Sequence, residues 1–172
     1  ATVSGRWYFH VRSVNPNNDR TGPDTVDQLG WFGYDVVAPT PNPAQFGTPV
    51  PSSSHISWYA SNTTTDTMSG LHDSAYIWKF GASADTFTRD ASSTTFALTP
   101  NTSYTMTLSV RDALSNRTAT VNQSTYTLAA APKKIPNAFR VFKSSVTLTF
   151  RNGGNPVGTT FYLQILAGRD LK

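Results

Sequence analysis

The sequence predicts an all-β chain of short strands and many loops, and three observations carry that expectation. Tyr104, Met106, Leu108 and Val110 alternate with Thr105, Thr107, Ser109 and Arg111, the period of a strand with one buried face. All ten acidic residues are Asp and none is Glu; Glu suits helix interiors, whereas Asp suits turns and caps. Eleven prolines and heavy Ser and Thr usage add loop character, and no stretch carries apolar residues at the i, i+3, i+4, i+7 spacing of an amphipathic helix.

Taken in order, Trp7 to Val14 is an aromatic strand that ends at the turn Asn15-Pro16-Asn17-Asn18. Gln28 to Gly33 reads as a long connecting loop, and Tyr34 to Ala38 as the next strand. Pro39-Thr40-Pro41-Asn42-Pro43 is an extended, proline-punctuated linker that marks a domain boundary. Ile56 with Trp58, and Tyr76 with Trp78 and Phe80, supply two more strands, with a polar loop from Ser61 to Gly70 between them. Phe87, Phe96 and Leu98 suggest short strands before the turn at Pro100-Asn101. A polar stretch follows the strand at Tyr104, then a closing strand Tyr126 to Ala130 stopped by Pro132. Beyond Lys133-Lys134-Ile135-Pro136, Ser144 to Phe150 is a strand, Asn152 to Pro156 a turn, and Phe161, Leu163 and Ile165 a further alternating strand.

The chain repeats itself. Trp7, Phe9, Val11 and Arg12 fall on Met106, Leu108, Val110 and Arg111 at an offset of 99, and Tyr34 falls on Tyr126 at an offset of 92. The same offset of 92 lays Ser144 to Phe150 over Ser52 to Trp58. A period of this size fits tandem beads.

The stretch Leu98-Thr99-Pro100-Asn101-Thr102-Ser103-Tyr104, followed by the alternating and closing strands, resembles the E–F corner of a fibronectin type III-like module, a β-sandwich of immunoglobulin-like type. The resemblance makes Tyr104 the corner tyrosine. It implies tandem modules with a partial one at each end: 1–38 as the last strands of one module, 39–132 as a complete module and 133–172 as the first strands of another. Neither end piece closes a sandwich alone, since each would expose half a core and a bare sheet edge. Three framings follow: a piece of a longer protein, pairing of the end pieces within one chain, or completion between subunits. The last is a head-to-tail contact that builds a filament unless its rotation closes.

Composition narrows the function classes. The 172 residues are 38% hydrophobic and 12% aromatic, enough for one large core or two small ones. Only 14% are charged, against roughly 25% in globular domains. The absence of cysteine excludes a disulfide framework and a thiolate metal site. No apolar run reaches the roughly 20 residues that span a bilayer, and the start Ala-Thr-Val-Ser-Gly-Arg-Trp reads as that of a mature or processed piece rather than a signal peptide. The net charge of +4 comes from scattered basic residues, read as a solvated surface rather than a nucleic-acid interface.

Candidate chemistry is sparse. His10 and His55 lie on strands, and only His72 has an adjoining acid, Asp73; neighbouring residues point in different directions, which suits no Ser-His-Asp arrangement. Asp24, Asp27 and Asp35 are read as turn and surface residues rather than a glycosidase pair. Asn15 to Asp27 is oxygen-rich enough to admit calcium but lacks the EF-hand order and its bidentate Glu, so no metal or other cofactor is assigned. Four Asn-x-Ser/Thr sequons, at Asn62, Asn101, Asn116 and Asn122, are candidate glycosylation sites in exposed loops. Trp31 and Phe32, in the loop with flanking glycines, are the candidate ligand or interface aromatics. The expected function is a non-catalytic structural module of an extracellular or cell-surface protein: a spacer, adhesin stalk or filament subunit whose partners are neighbouring modules or identical subunits. The alternative is a carbohydrate-binding accessory module of a secreted polysaccharide-degrading enzyme.

Overall fold

The computed structural model describes residues 4–12, 26–61 and 63–164. Among these the chain is all-β, with no helix and no barrel. Eleven strands run in order: β1 Gly5–Arg12, β2 Val26–Tyr34, β3 Val50–Pro51, β4 Ile56–Tyr59, β5 Leu71–Phe80, β6 Thr86–Thr88, β7 Ser92–Thr95, β8 Ser103–Asp112, β9 Val121–Tyr126, β10 Lys133–Val141 and β11 Val146–Arg151. Four sheets result: the pairs β1-β2 and β10-β11, a three-stranded sheet β3-β4-β7, and a four-stranded sheet β6-β5-β8-β9. The last two are consistent with a β-sandwich.

By contact density the chain divides into a first unit, Ala1–Thr48, Trp58–Ser93 and Thr105–Gln123, and a second unit, Pro49–Ser57, Thr94–Tyr104 and Ser124–Lys172. In the first unit, β5 pairs antiparallel with β6 and with β8, Trp78 standing opposite Thr86 on one side and Leu108 on the other. The alternation of β8 buries Met106, Leu108 and Val110 on one face; on the other, Thr105 is exposed but Ser109 is also inaccessible, its hydroxyl accepting from the Arg117 Nε–H at 2.6 Å. Trp58 and Trp78, also inaccessible, both approach the ring of Phe46, with centroids 6.3 and 6.1 Å away. The Trp78 indole N–H donates to Thr88 Oγ1 at 3.1 Å, so the ring is buried without orphaning its one polar atom.

The proline-rich segment 39–46 is tied down in this unit. Thr40 exchanges backbone hydrogen bonds with Thr65, Asn42 Oδ1 accepts from the Ala119 N–H at 2.7 Å, and Pro39 and Ala44 are buried. Among the described residues from Ser61 to Gly70 no strand forms, as their polarity predicts.

In the second unit Val50 and Pro51 pair with Ser57 and Ile56, and the turn between them is held by Ser52, whose Oγ lies 2.7 Å from His55 Nδ1. The Thr99 N–H donates to the Tyr104 hydroxyl at 3.0 Å, five residues upstream of the ring that receives it. Thr127, buried, accepts from the Thr102 N–H and donates to the Thr99 carbonyl, closing the same corner. Further on, the amide of buried Asn155 bonds both backbone groups of Ala130, each at 2.8 Å. Gly153 permits this docking: its φ is +72°, and a Cβ there would stand 2.4 Å from the Ala131 carbonyl oxygen.

Several strand boundaries differ from the sequence reading. Residues 28–33 are part of β2 rather than a loop, and Asp35 to Ala38 lies outside any strand. Gly30, at φ +102°, interrupts the apolar pattern of β2 without ending it. The strand expected at Tyr126 to Ala130 instead ends at Tyr126, because β9 begins within the polar stretch at Val121. β9 ends its sheet, where polar residues are tolerated on the open side. Phe161 to Gln164 forms no strand, and Ile165 lies outside the described residues.

Candidate functional site

Two features stand out once the strands are placed: a joint of carboxylates in the first unit and an exposed apolar face on each two-stranded sheet. The joint gathers Asp35, Asp66 and Asp112, whose carboxylate oxygens lie within 4.8 Å of one another. Each Asp closes its own turn, as Asp does where its carboxylate can reach an N–H two residues on. Asp66 Oδ1 accepts from the N–H groups of Met68, Ser69 and Gly70 at 3.0, 2.8 and 2.9 Å. Asp112 Oδ1 accepts from Leu114 and Asn116 N–H, and its Oδ2 accepts from the Asn116 amide at 2.6 Å. Asp35 Oδ1 accepts from Val37 N–H and the Ser4 hydroxyl, while its Oδ2 accepts from the Ser69 hydroxyl at 2.8 Å.

Asn116 completes the joint by donating to the Asp35 carbonyl at 3.1 Å. The result fastens the ends of β1 and β2 to two loops of the same unit. Three oxygen ligands of this kind are the groups in the described residues that could hold a hard cation, but the N–H and O–H donors already explain why like charges sit so close. Beside the joint, a cleft of about 550 Å³ is lined by Arg6, Tyr34, Asp35, Met68, Ser69 and Leu114.

The hydrogen bond from Val37 N–H lowers the Asp35 pKa below its ordinary 3.8; burial opposes this, and the Ser69 and Ser4 bonds reinforce it. A carboxyl with a depressed folded pKa stabilises the fold above the unfolded value and loses that contribution as pH falls through the folded one. Asp35→Asn is therefore expected to be less stable than the parent at pH 6, with the gap narrowing below pH 3.8. Urea midpoints between pH 6 and pH 2 measure this; a gap that does not change with pH contradicts it.

The apolar faces belong to β1-β2 and β10-β11. On the first, Trp7 stands opposite Phe32, and Phe9 stacks on Phe32 at 5.0 Å between centroids. On the second, Val141 pairs with Val146 and Phe139 with Leu148, while Phe150 meets Phe161 edge-on at 5.2 Å. An open cleft of about 610 Å³ runs along this face, lined by Phe139, Val146, Leu148, Phe150, Phe161 and Leu163 among others.

These faces repeat positions that are buried elsewhere in the chain. Met106, Leu108 and Val110 are at most 1% exposed, yet their counterparts Trp7, Phe9 and Val11 are 39%, 62% and 53% exposed. Ile56 and Trp58 are fully buried, whereas Leu148 is half-buried and Phe150 is 40% exposed. The strands correspond as well: β1 shifted by 99 falls within β8, and β2, like β9, ends on a Tyr.

Of the aromatics singled out from sequence, Phe32 lies in β2 as part of the Trp7–Phe9–Phe32 cluster rather than on a loop. Trp31 sits in the same strand opposite Tyr8, and its side chain lies outside the described residues. The oxygen-rich Asn15 to Asp27 segment also lies outside them, apart from the backbone of Val26 and Asp27 in β2. His72 Nδ1 accepts from Ser74 N–H and lies 3.3 Å from the Arg111 guanidinium. Two sequon asparagines are engaged rather than free, Asn101 donating to Thr159 Oγ1 and Asn116 serving the joint; Asn122 is exposed and accepts from Thr107, and Asn62 lies outside the described residues. The joint itself escaped the sequence reading, although Asp66-Thr-Met-Ser-Gly and Asp112-Ala-Leu-Ser-Asn share a turn signature. A scan against protein-family models and a search of curated proteins give no match.

Proposed function

We propose that this chain is a non-catalytic structural subunit of an extracellular or cell-surface protein, built from fibronectin type III-like modules and assembled head to tail. The observation that carries the reading is the exposure of Trp7, Phe9, Val11 and Phe150 at positions whose counterparts form a closed core. Water-exposed aromatic rows on two-stranded sheets are costly, and a two-stranded sheet needs a further layer to be stable. The β1-β2 face of one copy and the β10-β11 face of the next supply two layers to each other, so every contact leaves one open face at each end. That geometry is heterologous and extends into a filament or stalk.

Two details support the module type. The three-stranded and four-stranded sheets contain seven strands in all, as a sandwich of this kind has, and the bond from Thr99 N–H to the Tyr104 hydroxyl is the one a tyrosine corner makes. Light scattering and electron microscopy of the purified chain test the reading. Strings of beads that lengthen with concentration are expected; a monodisperse monomer at every concentration overturns it.

A further inference from the structure

We propose that the polar face of β10-β11, carrying Lys133, Arg140 and Arg151, binds an anionic polysaccharide. Side chains alternate across a strand, so Thr147, Thr149 and Arg151 occupy the face opposite Val146, Leu148 and Phe150. Register places Arg140 against Thr147 and Lys133 directly against Arg151 on that face. All five side chains are exposed. Two cations directly across an antiparallel pair repel, so an anion bound between them would relieve an unfavourable contact.

The described residues of the second unit include no acidic side chain. No acidic residue occurs between Asp112 and Asp170, and the second unit has seven basic residues against one acidic, where the first has seven against nine. Among the described residues the one ion pair joins Arg117 and Asp85, and Lys133, Arg140 and Arg151 make no hydrogen bond to a side chain or loop. A cleft of about 600 Å³ lined by Lys133, Lys134, Thr149, Phe150 and Arg151 opens where the like charges meet.

The chemistry of the face selects the polymer. Cations spaced along the strand, with Thr hydroxyls between them, suit a chain that carries regularly spaced anionic groups and many hydroxyls. Single-stranded nucleic acid binds through successive aromatic platforms that stack its bases, and this cleft offers a single ring, Phe150. Lys133, Arg140 and Arg151 do not line the apolar cleft, although Lys134, Thr149 and Phe150 line both.

Affinity electrophoresis through gels containing polygalacturonate, dextran sulfate or neutral dextran tests the site, with a fluorescent single-stranded oligothymidylate as competitor. Retardation by the two polyanions and not by dextran is expected. Raising salt from about 50 to 200 mM should weaken it about tenfold or more, as release of condensed counterions requires. The double variant Lys133→Ser/Arg151→Ser should lose at least about tenfold in affinity while Arg89→Ser, an exposed cation of the first unit, changes nothing. Arg140→Ser, at the far end of the strand, should give a smaller loss and guards against misfolding of the double variant. Equal retardation by dextran, undiminished binding in both variants, or tighter binding of oligothymidylate than of the polysaccharides overturns the proposal. So does loss of assembly in the double variant without any polyanion binding, which would assign the face to a second copy.

Discussion

Subunits carrying Phe150→Asp are expected to stop assembling, and so are subunits carrying Phe9→Asp. Each substitution places a carboxylate in an apolar contact where nothing balances it. Burying an unpaired charge in that way costs several kcal/mol, and even about 3 kcal/mol lowers affinity more than a hundredfold. Both side chains are exposed in the subunit, at 40% and 62%, so the fold itself should tolerate the change. The sharper result comes from mixing. A head-to-tail contact uses different surfaces on its two sides, so a Phe9→Asp subunit retains its β10-β11 face and a Phe150→Asp subunit retains its β1-β2 face. Mixed, the two should form dimers and go no further. Light scattering of each variant and of the mixture measures this. Filaments from either variant alone, or no dimer in the mixture, would contradict completion between subunits.

The repeat that underlies this expectation was legible in the sequence, because it rests on apolar alternation, and alternation survives wherever a strand has one face to bury. β1, β4, β5, β8 and β11 all follow from it. The failures share a cause. β9, Val121-Asn-Gln-Ser-Thr-Tyr126, ends its sheet, and its side chains range only from half-buried to exposed. Such a strand is specified by main-chain pairing more than by an apolar face, so composition read it as a loop. β2 carries Gly30 and Gly33, which look like punctuation yet sit within the ladder. Phe161 to Gln164 shows the reverse case, an alternating pattern without a strand among the described residues. The carboxylate joint was hidden for a different reason. Each Asp could be read as closing its own turn, but nothing local says that the turns of Asp35, Asp66 and Asp112 meet; that depends on tertiary contacts such as Ser69 with Asp35, 34 residues apart.

Trp58→Ala and Phe150→Ala, matched substitutions at repeated positions, should have opposite signatures. Trp58 is fully inaccessible and contacts Phe46, so its truncation opens a large cavity and should cost about 3–5 kcal/mol. For a domain whose whole stability is about 5–15 kcal/mol, that is enough to unfold a substantial fraction at moderate temperature. Phe150 occupies the equivalent place but is 40% exposed and, among the described rings, meets Phe161. Its truncation should cost the isolated subunit about 1 kcal/mol, in proportion to the smaller area it buries. In the assembled state the counterpart becomes core, and the cost should rise toward that of Trp58. Denaturant midpoints taken at concentrations below and above assembly separate the two states. If Phe150→Ala is as costly as Trp58→Ala in the dilute subunit, its face is already covered within the chain. If its cost does not grow on assembly, the β10-β11 face is not where copies meet. The position of one aromatic in a repeat thus reports whether a sandwich is closed by its own chain or by its neighbour.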